Sequence, residues 1–425
     1  MIQKVKNKIL ELKSSEYVRN VATLASGTTI AQLISLASAP ILYRIYSKED
    51  YGTLGTYMAV SAVVGVFSTL RYNEAIMLEE DETDAKAVLW LNRYLNLIFT
   101  VIIFIIFLFA SNLISENLEN TNLKKWLIFV PVSVFFSTNN NIFRVWANRN
   151  SEYKVLTLNS ILVALVIPLF SIIYGLINPN ESGLIISFIL GQIVPFIILY
   201  YSLSKKYSLG FNTDTSFDKL LLLAKRYKNF PKYSLIPDFL FSFNSQLPIF
   251  FLASNIGSSA VGVYNLAMRV LTIPVQLISK SISEVFRQRA IIEYQSKGNC
   301  ISIYKKTFFY LFSIAIIPFG ILVFWAPDLF AFFFGENWRE SGRFSQILTP
   351  LVFANFIVSP LTYLYYIANK QLEDTVTYMI FFGFNLVIFY LLPYKINEIL
   401  SIYVGFSVLF YVINFVRSYR FSKGN

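Results

Sequence analysis

The chain has no histidine among its 425 residues and a single cysteine, Cys300. The first absence excludes histidine-based catalysis, histidine metal sites and imidazole proton relays. The second excludes an internal disulfide and a cysteine-built metal site. Charge is scarce too, at 14%, where a soluble domain carries about 25%. Alternating strands of about ten residues, the mark of a membrane barrel, are missing. What remains is apolar: 55% of residues are hydrophobic and the mean hydropathy is +0.55.

Runs long enough to cross a bilayer, about 20 residues each, recur along the whole chain. They predict spans at 21–43, 52–70, 88–111, 125–144, 155–177, 183–203, 233–253, 260–283, 304–326, 344–367, 374–392 and 398–417. Lipid offers no partner to an unpaired backbone group, so each span is helical. The expected fold is an all-α membrane protein of about 12 transmembrane helices in two six-helix bundles. The bundles cover 21–203 and 233–417, with a basic cytoplasmic linker at 204–232 and a cytoplasmic tail at 418–425. Residues 1–20 read as an amphipathic cytoplasmic segment. There Ile2, Val5, Ile9 and Leu12 recur between Lys4, Lys6, Lys8 and Lys13, as in a helix lying on a membrane surface.

The net charge of +11 does not point to nucleic acid. With the N-terminus inside, most Lys and Arg fall in cytoplasmic segments, which is the positive-inside pattern. Both termini and the Lys205–Lys232 loop are therefore expected in the cytoplasm. Within that loop Leu220–Ala224 predicts a short interfacial helix.

The two halves look related. Gly52 and Gly262 both open a span after a short polar loop, 210 residues apart. Glu74 and Glu284 keep the same separation. Trp146-Ala147-Asn148-Arg149 leading to Glu152 matches Ile367-Ala368-Asn369-Lys370 leading to Glu373. Six spans per half make this a parallel repeat, with a site expected where the halves meet.

Arg269 carries the strongest functional signal. It lies roughly 10 Å inside the span that starts near Gly262. A cation at that depth costs roughly 2.5–3.5 kcal/mol, so it faces a bundle interior or a water-filled path. Asn265, Arg269, Thr272, Gln276, Lys280, Ser283 and Arg287 recur at steps of three or four, one face of a continuous α-helix. Arg71, Lys280 and Arg287, near the inner interface, are expected to form an inner-side attraction for an anion, with snorkelling to the lipid headgroups as the alternative. Gln276, Asn265, Asp238, Gln32 and Asn244 are candidate cavity-lining groups. Glu74, Asp238 and Glu284 are the candidate proton or sodium sites, and pairing with Arg71, Lys280 or Arg287 is the alternative. No cofactor and no metal is expected.

Three stretches carry a family resemblance. The first is Gly27, Gln32, Pro40 and Arg44, followed by Ser47-Lys48-Glu49-Asp50-Tyr51-Gly52. The second is Arg71-Tyr72-Asn73-Glu74-Ala75-Ile76 with an acidic loop after it. The third is Gly262-Val263-Tyr264-Asn265-Leu266-Ala267-Met268-Arg269-Val270 with Pro274, Ser283 and Val285. Together they resemble the Wzx-type O-antigen and capsule flippases of the multidrug/oligosaccharidyl-lipid/polysaccharide exporter superfamily. Asn73 departs from the acidic or apolar residue that many relatives carry there. The resemblance implies a two-bundle, alternating-access carrier of undecaprenyl-pyrophosphate-linked oligosaccharide across a bacterial inner membrane. It also implies membrane lipids, and other polysaccharide-assembly proteins, as partners.

The residue chemistry suits that cargo. Arginine offers a fixed, always-charged fork to pyrophosphate, and Ser, Thr, Asn, Gln and Tyr match sugar hydroxyls. An ion-coupled drug exporter would want unpaired carboxylates rather than a cationic stripe. A membrane polymerase or ligase would want a long outer loop, and Pro327–Arg343 is too short for a domain.

Overall fold

In the computed structural model, residues 16–118, 120–209, 216–391 and 395–424 are described. Most of the 1–20 segment, with its expected surface helix, lies outside them. The described residues form helices and no strand. In chain order these are α1 Glu16–Ile45, α2 Lys48–Gly65, α3 Glu82–Asn117, α4 Thr121–Leu127, α5 Val130–Arg149, α6 Tyr153–Ile177, α7 Glu181–Tyr207 and α8 Phe217–Arg226. Next come α9 Leu235–Asn255, α10 Ser258–Pro274, α11 Lys280–Lys297, α12 Ile301–Phe334, α13 Arg339–Val358, α14 Leu364–Ile367, α15 Gln371–Leu391 and α16 Ile396–Ser422. Among the described residues, ten helical runs are long and apolar enough to cross a membrane. The expected spans 52–70 and 125–144 are helical too, as α2 and α5, but fall outside that set. α2 stops at Gly65 after 18 residues. α5 is diluted by Ser133, Ser137, Thr138, Asn139, Asn140, Asn141 and Arg144.

Burial runs inside out, as a bilayer requires. In α3, Asn92 and Asn96 are fully buried while Ile98, Ile102, Ile105 and Phe109 are exposed. Asn96 gives its amide to the Phe135 carbonyl at 3.0 Å. In water this apolar surface would be a liability; in lipid it is the solvated face. The protein is a multi-pass membrane protein.

The chain divides into two compact units, Met1–Ser47 with Thr56–Phe243 and Lys48–Gly55 with Asn244–Asn425. The sequence places the boundary in the 204–232 linker; the compact units part inside α9. In the first unit α1 lies along α6, α6 on α7, and α5 on α3 and α7. Trp90, Phe143 and Trp146 fill its core. Asp81 caps α3 by accepting from the Thr83 and Asp84 amides at 2.7 and 3.0 Å, while Glu82 and Asp84 face the helix dipole. α8 is a short helix over the stretch where one was expected, 220–224. It seats Leu220 and Leu223 in the core and ties Arg226 to Glu79 at 3.0 Å.

In the second unit α13 packs against α10, α12 and α16. The first turns of α2, Lys48–Gly55, belong here. Lys48 pairs with Glu340 at 2.7 Å, and Tyr51 meets Trp338 edge-on at 5.8 Å. Toward the other end of this unit's helices, Phe286, Cys300, Tyr304, Leu364 and Tyr365 form a compact core.

Candidate functional site

α2 ends early because the chain reverses. Leu70 and Arg71 both take left-handed backbone, with φ of 49° and 66°. Each such non-glycine residue costs about 1–2 kcal/mol, so the surroundings must hold the turn. Thr138 donates to Ser68 at 2.9 Å, and Thr69 donates to Asn73 at 2.9 Å. Arg71 then caps a 3-10 turn, Tyr72–Met77. α8 and α5 anchor that turn: Tyr72 donates to the Ala224 carbonyl at 3.0 Å and Arg149 to the Ile76 carbonyl at 3.1 Å.

The reversal aims Arg71 at α9. Its Nε lies 2.5 Å from Oδ2 of Asp238, and Nη2 lies 3.5 Å from Glu74. The contact to Asp238 is a close charge pair without linear N–H alignment. One guanidinium thus meets two carboxylates, a net charge of −1. Side-chain exposures of 34% and 37% leave Arg71 and Asp238 only partly enclosed by protein. Of the expected ion-coupling groups, Asp238 and Glu74 are brought together here, on Arg71. Glu284 is exposed on α11.

The second unit holds Arg269, partly buried on α10, with Asn265 one turn earlier. Thr272 returns its hydroxyl to the Met268 carbonyl at 2.7 Å. The single polar face expected from Asn265 to Arg287 is corrected by the structure. After Pro274, which has no N–H to give, the ladder widens into a π turn at Val275–Ser279. One surplus residue rotates α11 by roughly 100° about the helix axis. Ser283 and Arg287 therefore leave the row of Asn265 and Arg269. The side chains of Gln276 and Lys280 lie outside the described ones.

Asn244 is buried, donating to Tyr378 at 3.2 Å and accepting from Asn385 at 3.0 Å. Gln32 is partly buried in α1. Arg287 stacks on Tyr363, 5.3 Å from the ring centre.

Two arginines inside helices are absent from the sequence-based candidates. Arg93 of α3 sits among Trp90, Phe143 and Tyr200, at 4.4, 5.4 and 5.3 Å from their ring centres, which supplies cation–π attraction. Arg144 of α5 donates to Asn159 and Ser160 at 2.9 and 3.1 Å. Asn159 in turn donates to Asn140 and the Pro195 carbonyl. The run Asn139-Asn140-Asn141 inside an apolar segment was the available signal. At the α5–α6 loop, Lys206 and Tyr207 both donate to Glu152. Burial acts to raise this carboxyl, and the two donors outweigh it, holding Glu152 below its ordinary value of 4.5.

No curated protein sequence matches the chain. Solved structures do. The lipid II flippase MurJ in an inward closed conformation superposes with a TM-score of 0.71 at 16% identity, covering 94% of this chain and 89% of that one. A MOP superfamily transporter from Pyrococcus furiosus, described as having a binding pocket of reversed polarity, gives 0.61 at 14% identity, with 95% of each chain covered. An outward-facing multidrug resistance transporter of the MATE family, also of the MOP superfamily, gives 0.57 at 15%, again with 95% of each. At these identities the likeness is one of fold, the helical transporter fold of that superfamily. Residues 41–343 match the sequence profile of a family described as polysaccharide biosynthesis protein. That match spans most of the chain, and the chain belongs to this family.

Proposed function

We propose that the protein is a flippase that moves undecaprenyl-pyrophosphate-linked oligosaccharide repeat units from the cytoplasmic to the periplasmic leaflet, for O-antigen or capsule biosynthesis. The carrying observation is the family match over residues 41–343, joined to a transporter fold shared with a lipid II flippase. The mechanism is alternating access without covalent chemistry. Arg269 is the principal group for pyrophosphate or a charged sugar, because an always-charged fork in an apolar helix favours an anion. Arg71 becomes available to an anion when Asp238 and Glu74 release it. A proton or sodium ion taken up by Asp238 or Glu74 would weaken that grip, which couples transport to an ion gradient. Glu284 is the remaining ion-coupling candidate.

In this reading the protein sits in the inner membrane with both termini in the cytoplasm, beside other polysaccharide-assembly proteins. A reporter fused after Asn425 should be active only in the cytoplasm. Cells lacking the protein should accumulate lipid-linked repeat units on the inner leaflet and lose the matching surface glycan. Unchanged surface glycan, in a strain with no second flippase, would overturn the assignment.

A further inference from the structure

A pocket of about 240 Å3 opens in the second unit, between α11 and the turn at the end of α13. Ile291, Tyr294 and Gln295 line one side, and Tyr363, Tyr366 and Ile367 the other. Ser359–Tyr363 is a 3-10 turn entered at Pro360. Tyr363, the last residue of that turn, and Tyr366 of α14 stack, with ring centres 5.4 Å apart and planes 22° from parallel. Arg287 covers the Tyr363 ring at 5.3 Å. Beneath, Tyr294 and Ile367 pack on the buried core of Phe286, Ala290, Leu361 and Leu364. Two of the six lining residues are therefore held by packing on the core, and all six lie on helices or on the 3-10 turn.

Tyrosines at a membrane interface are ordinary. A run of them converging with an amide on one pocket, beside a stacked guanidinium, is not. The C–H faces of a sugar suit a tyrosine ring, and sugar hydroxyls suit phenol and amide partners. Stacking fixes the guanidinium plane and leaves its N–H edge for an anion. Glu293, on the same stretch of α11, is engaged by Lys297 at 3.0 Å and does not compete for Arg287. Pockets for drug-sized ligands run from about 300 to 1,000 Å3. This one suits a single sugar ring, not a whole oligosaccharide.

We infer that this pocket binds a glycosyl phosphate, the sugar against Tyr366 and Tyr294 and the phosphate on Arg287. The inference deepens the flippase reading and rests on it for one point: that the glycosyl phosphate is the head of a lipid-linked cargo rather than of a sugar nucleotide.

The test uses the full-length protein in lipid nanodiscs and saturation-transfer NMR. Glucose 1-phosphate, glucose, inorganic phosphate, UDP-glucose and a short-prenyl glucosyl phosphate are the probes. Glucose 1-phosphate should show saturated ring protons, with Kd near the millimolar range. Tyr366→Ala should weaken it about tenfold; Tyr366 is half exposed, so the fold tolerates its loss. Gln295→Ala, at an exposed position, should weaken it less and provides a second variant. Arg287→Gln should bring glucose 1-phosphate down to the affinity of glucose. Equal binding by wild type and all three variants would overturn the pocket, as would inorganic phosphate binding as tightly as glucose 1-phosphate. UDP-glucose binding more tightly than the prenyl compound would overturn the lipid-linked source. Sugar-phosphate binding that survives beside an unchanged glycan in the deletion strain would sink the transport reading and leave the pocket standing.

Discussion

Gly52 and Gly262 each lie against the backbone of the other's helix. A Cβ on Gly52 would fall 1.7 Å from the carbonyl oxygen of Ser258. A Cβ on Gly262 would fall 2.1 Å from that of Lys48. Lys48 and Ser258 are themselves 210 positions apart, like the two glycines. Gly55 meets its own repeat mate, since a Cβ there would lie 1.8 Å from the Asn265 amide nitrogen. The contact is thus reciprocal, as at a local two-fold axis, and it ties the internal repeat to one helix crossing.

Gly52→Ala or Gly262→Ala should force the two helices apart, because the obstacle is backbone and not a flexible side chain. We expect a loss of about 1–3 kcal/mol, read as a lower unfolding temperature in detergent. Gly383 has open space around it, so Gly383→Ala should be neutral or slightly stabilising. Equal effects at all these glycines would refute the close crossing.

Arg71→Ala should lower protein abundance, because it leaves Asp238 and Glu74 side by side without their cation. Adding Asp238→Asn should restore abundance. The pair is partly exposed, so a coupling of about 1 kcal/mol or less is expected. A double-mutant cycle on thermal stability measures it, and additive single effects would show that the contact carries no energy.

Arg269→Ala should largely abolish glycan export while membrane abundance stays near normal, since alanine inserts more easily than arginine. Arg269→Lys should rescue in part, keeping charge but losing the planar fork. Surface glycan measured beside protein level checks both. Normal export by a well-expressed alanine variant would remove Arg269 from the site.

Burial pushes the Cys300 thiol up to about 11. Cys300 is fully buried beside Tyr304 and Leu361. At pH 7.5 a maleimide should label it only after denaturation. Labelling of the native protein would contradict the packing around the start of α12.

The Glu152 carboxyl is held below its ordinary value in the fold. Its folded pKa is depressed, so its stabilisation is present above pH 4.5 and fades as pH falls through the lower folded value. Glu152→Gln should therefore reduce the unfolding temperature at about pH 7, and by progressively less as the pH falls below 4.5. A deficit that stays constant as the pH is lowered through the carboxylate range would show that the lysine and tyrosine contacts do not act through charge.

The helices were legible because apolar runs of about 20 residues leave few alternatives. The repeat was legible because it falls on Gly52 and Gly262, where only a missing side chain lets backbones touch. The sequence allowed Asp238 to pair with Arg71, Lys280 or Arg287, and offered no ground for choosing Arg71. The meeting with Arg71 depends on two left-handed residues, and neither Leu70 nor Arg71 announces one. The polar row through Arg269 extends too far when read from spacing alone, since no residue type marks a π turn beyond the proline that precedes it. Arg93 was hidden for another reason. Its partners Trp90, Phe143 and Tyr200 come from three helices and each reads alone as lipid-facing.

The π turn at Val275–Ser279 also bears on how this segment can change in length. A helix that already holds one surplus residue can lose it without breaking. A one-residue deletion there would relax the ladder to ordinary α geometry and leave Ser283 and Arg287 on the faces they now occupy. The same deletion within Ser258–Pro274 would turn every later side chain away from its neighbours. This short turn is where the segment can be shortened by one residue with both halves of the helix left in place.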